Sequence, residues 1–197
     1  MTPLEPLATA LVPWQNFYLL TGTSAATLTG LMFIAVTFGA SMATKATAES
    51  ARAFLDPPYR HFLQIIVTAC LLMIPTLGAT VLGAVLIGIA AFRLGGLTWI
   101  FRQYLSAHRT HGDLEASDWV LAIVLPLVCH TLLFATGAGF LLREPLALTG
   151  LAVVVLGLLV TGIHGAWELL VWMALVVTAR RQEEAGPPGP PRSAAGD

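Results

Sequence analysis

Thr161, His164 and Glu168 stand at i, i+3 and i+7 in the segment Thr-Gly-Ile-His-Gly-Ala-Trp-Glu. On a helix the three share one face, and His164 and Glu168 are neighbours one turn apart. The surrounding run, about residues 146–179, is otherwise apolar up to its end, and Glu168 is the one acid inside any of the long apolar runs. A carboxylate in hydrocarbon is costly, so an ionisable group there is a functional candidate by default. A second candidate, His130, lies near the middle of the run at about 119–142, four residues after Pro126. A third set, His61, Gln64 and Thr68, repeats the i, i+3, i+7 spacing where the run at about 62–92 begins. His61 follows Arg60 and is expected at headgroup level, with Gln64 about one turn deeper.

Three chemistries fit these residue types. His130, His164 and Glu168, joined by Gln64 if the second run tilts inward, can form an ion or proton site, because histidine titrates near neutral pH. His130, His164 and Glu168 are also a ligand set for a divalent transition metal. Two histidines on facing helices can clamp a haem. The pattern requires no cofactor, and haem or a divalent metal are the groups it would accept. A single His-x-x-x-Glu is far less specific than the paired Glu-x-x-His of di-iron bundles. The chain has no HExxH, GxSxG, phosphate-binding loop or Gly-rich dinucleotide fingerprint. No nucleophile–base pair is visible, so catalytic residues are assigned to none.

A fourth stripe lies in the first apolar run. Gly22, Ala26 and Gly30 recur every four residues, the small-xxx-small spacing that lets helices approach closely. Thr23 and Thr27 run beside them. Packing within one chain, an interface between chains and a hydroxyl-lined pore wall all use such a face. A threonine hydroxyl also bonds back to its own helix at little cost.

The elements that must position these residues follow from composition. Of 197 residues, 56% are hydrophobic and 11% charged, against about 25% charged in ordinary soluble domains. The mean hydropathy is +0.79. Water would leave such a surface underprovided with charge, whereas a bilayer welcomes apolar side chains facing outward. A net charge of −1 and the lack of a basic stripe argue against nucleic acid as a partner. Cys70 and Cys129 fall in apolar runs and form no CxxC. Residues 1–15 contain Glu5 and no Lys or Arg, unlike the n-region of a cleavable signal peptide, so the first run is expected to stay in place.

The expected fold is all-α: a polytopic membrane protein with four transmembrane helices in a bundle, spanning residues 1–182. The spans are about 17–40, 62–92, 119–142 and 146–179, each long enough for about 30 Å of hydrocarbon. Pro75 and Pro126 are expected to kink the second and third. Pro57-Pro58 closes the first loop, and Arg143-Glu144-Pro145 forces the last two spans into a hairpin. Residues 95–105, with Trp99 and Arg102, suit an interfacial helix in the central loop. The Pro/Gly-rich tail, 183–197, is expected to be disordered.

Four spans would put both termini on one side. That side would hold six Lys/Arg against four, which favours the cytoplasm. Nine arginines to one lysine, with much Ala, Gly, Leu and Val, suggest a GC-rich bacterial genome and hence a bacterial cytoplasmic membrane. The expected function is an oligomeric channel or transporter-like protein for a small ion or proton. The alternatives are a non-catalytic accessory or assembly subunit, or a haem- or metal-binding redox protein. The expected partners are the lipid bilayer and further copies of the chain.

Overall fold

A computed structural model describes residues 5–40, 45–108 and 124–185. Six α-helices occur among them: α1 Glu5–Leu11, α2 Gln15–Ala40, α3 Lys45–Leu72, α4 Ala79–His108, α5 Leu125–Leu142 and α6 Ala147–Ala185. A single 3₁₀ turn, Val12–Trp14, joins α1 to α2. No strand occurs among the described residues. Four segments are long and apolar enough to cross a membrane: Leu7–Thr37, Ala79–Gly96, Leu125–Leu142 and Ala147–Leu175. Their outward faces are apolar, with Leu20, Phe33, Phe92, Val153 and Trp167 all exposed.

The largest departure from expectation is at Pro75. The run at about 62–92 is not one kinked helix. α3 stops at Leu72, the chain turns through 73–78, and α4 starts at Ala79. Proline disfavours helix for the residue before it and donates no hydrogen bond. Here Met73 and Ile74 close the last turn of α3 onto Ala69, Cys70 and Leu71, and Gly78 precedes the new helix. Each half then packs on different neighbours, which a straight helix could not do.

The other prolines also differ in role. Pro57 and Pro58 lie within α3 rather than in a loop, and Pro58 is fully buried. Pro126 is the second residue of α5 and follows π-helical Val124. The turn before Val124, where the expected kink would fall, lies outside the described residues. The start of the third span at Trp119 also lies outside the described residues. Residues 95–105 continue α4 to His108 and form no separate helix. Of the tail, 183–185 complete α6 and the rest is outside the described residues.

The hairpin at 143–146 forms as expected. Arg143 adopts a left-handed conformation, φ 60°, and its N–H and that of Glu144 reach the last carbonyls of α5. This is the usual way to end a helix sharply, although glycine more often holds the position.

Close approaches fix how the helices lie. A Cβ built on Gly22 of α2 would fall 2.6 Å from Cβ of Ala69 near the end of α3. Gly162 and Gly165 of α6 receive Phe62 and Pro58 of α3. Gly157 of α6 receives Cys129 of α5. Gly83 of α4 and Gly137 of α5 meet backbone to backbone: a Cβ on Gly83 would lie 2.6 Å from the Gly137 carbonyl oxygen. Each of these contacts is antiparallel. Tyr18 Oη donates to the Leu148 carbonyl at 2.9 Å, placing the start of α2 beside the start of α6.

One end of the molecule, the hairpin end, thus holds the start of α2 and the turns 73–78 and 143–146. The far end holds the end of α2, the start of α3 and the ends of α4 and α6. α3 is a fifth pass alongside the others, so α6 finishes at the opposite end from where α2 begins. The expectation that both termini share a side rested on an even number of passes, and this geometry removes that basis.

Candidate functional site

His130 is the centre of the polar residues buried between helices. It is 4% exposed. Its Nδ1 lies 2.6 Å from the carbonyl oxygen of Pro126, one turn earlier on α5. Its Nε2 lies 3.1 Å from Oε1 of Gln64 on α3. Gln64 is 5% exposed and His61, one turn before it, 7%. The His61 and His130 rings sit 6.2 Å apart, centre to centre. Arg93 of α4 donates from Nη2 at 2.7 Å to the carbonyl of Arg60, the residue before His61. Arg60 is itself ion-paired with Asp56. Three helices, α3, α4 and α5, therefore supply the site.

The hydrogen bonds constrain the protonation of His130. A carbonyl can only accept, so Nδ1 carries a proton. Nε2 then faces Gln64 in one of two ways. If His130 is doubly protonated, Nε2–H donates to Oε1. If it is neutral, the Gln64 amide must turn over and donate its N–H to Nε2. The two amide atoms are exchanged by a simple flip. In the first arrangement Gln64 Nε2 has no partner, and His61 Nδ1 has none either.

His164 and Glu168 form a different unit. His164 Nε2 and Glu168 Oε1 are 3.0 Å apart, with side chains 32% and 38% exposed. The contact is short but lies off the hydrogen-bonding direction, since His164 Nε2 has no hydrogen-bond partner. Cys129 packs on Gly157, and His164 is seven residues further along α6, about 10 Å. The structure therefore brings Gln64 to His130, but does not bring His164 and Glu168 into that contact. Among the described residues, no three His, Cys, Asp or Glu side chains gather as metal ligands. The single set His130, His164 and Glu168 is not assembled. A haem clamp by His130 would have to break one of the two contacts its nitrogens already make.

Sequence reasoning placed His61 at the headgroups and passed over Arg93. The signal for His61 was present, since it shares a helix face with Gln64 and Thr68. Arg93 carried no comparable signal, because its proximity depends on the chain reversal at Pro75.

The small-residue face of α2 divides. Gly22 is buried against α3, whereas Thr23, Ala26, Thr27 and Gly30 are exposed. The hydroxyls of Thr23 and Thr27 bond back to Leu19 and Thr23 carbonyls. Cys70 and Cys129 are both free.

Fold and site together define an all-helical chain with four membrane-length apolar helices and a buried histidine–glutamine contact. Comparison with protein-family models, curated proteins and solved structures finds no match.

Proposed function

We propose that the chain is an integral membrane protein with five membrane-crossing helices, which binds and passes a small ion or proton through the His130–Gln64 centre. The observation that carries this reading is a polar, titratable contact kept between helices whose outer faces are apolar. Intramembrane ionisable groups that face inward and pair with one another mark ion pathways and proton relays.

Depth follows from helical rise. Measured from the hairpin end at 1.5 Å per residue, Gln64, His61 and His130 lie about 12, 17 and 18 Å down their helices. A hydrocarbon core of about 30 Å encloses all three. Glu168 lies about 32 Å down α6, at the far boundary. We therefore read His164 and Glu168 as the outer pair of the path, and His130 with Gln64 as its centre.

Orientation follows from the fifth pass. Among the described residues, Lys45 and Arg52 of α3, Arg102 of α4, and Arg180 and Arg181 of α6 lie about 30 Å or more from the hairpin end. The hairpin end holds Arg143 alone. Five against one among the described residues makes the far end the cytoplasmic one by the positive-inside rule. The C-terminal end of α6 is then cytoplasmic and the start of α2 faces out. The arginine-rich, Ala/Gly-rich composition suits a bacterial cytoplasmic membrane. The exposed Ala26–Gly30 stripe of α2 is the surface through which copies would associate.

Reconstituted liposomes test the function. Native protein should dissipate a proton gradient, and His130→Ala should abolish that flux. A second reading, an assembly subunit with no flux of its own, is favoured by the engagement of both His130 nitrogens within the chain. Native protein without flux would establish it in place of the first.

A further inference from the structure

The His130 centre holds two buried nitrogens without partners: the Gln64 amide nitrogen, a donor, and His61 Nδ1, whose role follows its tautomer. Both side chains are more than nine-tenths buried. Arg93, held on the carbonyl of Arg60, the residue before His61, adds a cation on that side of the centre. Asp56, one turn before Arg60 on α3, is already paired with that arginine. A metal or alkali cation would meet Arg93 and find few free lone pairs. An anion would meet N–H groups.

We infer that the centre binds a small monovalent anion of the chloride or formate kind together with a proton on His130. This rests on the reading of the centre as an ion site. The link between the two is the Gln64 amide. With Nε2 of His130 protonated, Oε1 of Gln64 accepts from it, and the amide N–H groups stay free for an anion beside His61 and Arg93. With His130 neutral, the amide turns over, spends an N–H on His130 and presents its oxygen instead. That oxygen repels an anion. Proton and anion therefore favour each other's binding, and the coupling is reciprocal. The pair also brings no net charge into the low-dielectric interior, where an unpaired ion is costly.

The charged and titratable groups around the centre are consistent with this. α3 brings Asp56, Arg60 and His61, α4 brings Arg93, and α5 brings Cys129 beside His130. On α6 the nearest are His164 and Glu168, farther toward the far end. α2 brings Tyr18, which is occupied at the hairpin end by Leu148. Arg93 and Arg60 lie on the far-end side of Gln64, where basic residues raise the local anion concentration.

The experiment uses the full chain in nanodiscs, weakly buffered between about pH 6 and 7.5. Sodium chloride is added against sodium gluconate, whose anion is too large for the site, and proton uptake is read with a pH indicator. Native protein should take up as much as one proton per chloride bound, and none with gluconate. Gln64→Leu should take up none with either. Its melting temperature in gluconate shows whether it folds. Should it fail to fold, chloride must still shift the imidazole ¹⁵N resonances of His130 in native protein. No uptake by native protein, or equal uptake by folded Gln64→Leu, overturns the inference. Uptake without liposome flux overturns only the transport reading. Proton flux indifferent to chloride, with no uptake, overturns only the anion.

Discussion

His130 and Gln64 are 66 positions apart in the chain and 3.1 Å apart in space. They join α3 to α5, two helices whose order in sequence is interrupted by α4. Removing one partner strands the other in a buried site. Interhelical hydrogen bonds in membranes couple by about 0.6 kcal/mol on average, and as much as about 1.7 kcal/mol. A double-mutant cycle of His130→Phe and Gln64→Leu, read by reversible unfolding in mixed micelles, should fall in that range. Strictly additive losses would mean the contact contributes nothing to stability.

Gly83 and Gly137 predict a steric effect with an internal control. A methyl at Gly83 would lie 2.6 Å from a backbone oxygen and 3.1 Å from Phe140 Cβ, and neither can move alone. Gly83→Ala should force α4 off α5 and destabilise by about 1–3 kcal/mol. Gly88, five residues on, has nothing within 4 Å of its Cβ position. Gly88→Ala should be neutral or slightly stabilising through helix propensity. Equal melting temperatures for the two variants would contradict the α4–α5 packing.

The fifth pass predicts which loops share a side. Single cysteines at Thr76 and Glu144, in a background lacking Cys70 and Cys129, should both react with an impermeant thiol reagent added outside intact cells. A cysteine at Ala185 should react only after permeabilisation. If position 144 reacts from outside while position 76 reacts from neither side, the run at 62–92 crosses once and the present topology is incorrect.

Glu168 and His130 should separate in liposome flux. Glu168 is partly exposed at the far boundary, where water can replace its carboxylate, whereas nothing replaces a buried imidazole. Glu168→Gln should reduce flux a few-fold, and His130→Ala should remove it, a difference of at least about tenfold or 1.4 kcal/mol. A larger loss in Glu168→Gln would move the centre of the path to α6.

Two glycines of one stripe should behave differently. Gly22→Leu collides with Ala69 within the same chain, so it should lower the melting temperature of the protomer. Gly30 faces open space, so Gly30→Leu should leave the protomer folded and dissociate any oligomer. Size measured by light scattering in detergent decides this. A native protein that is strictly monomeric, or an oligomer untouched by Gly30→Leu, would remove α2 as the interface.

The sequence by itself determined the class of this protein and most of its helices. Low charge, high hydropathy and uninterrupted apolar runs leave helices as the economical structure, and Arg143-Glu144-Pro145 allows only a tight hairpin. It also supplied His130 and Gln64 as candidates, because polar groups in apolar runs are conspicuous. It did not decide how many times the chain turns. A proline in an apolar run can kink a helix or end it, and the choice at Pro75 depends on which neighbours the two halves find. That choice set the number of passes, the distribution of basic residues and the approach of Arg93 to the carbonyl beside His61. Nor did it decide depth. His130 falls near the middle of its run and the depth of Glu168 stays open along the chain, because burial depends on what packs opposite. His130 has Gln64 and His61 against it, and Glu168 has an open side. Local composition identifies polar residues in an apolar run, whereas only the packing of separate helices shows which of them are enclosed.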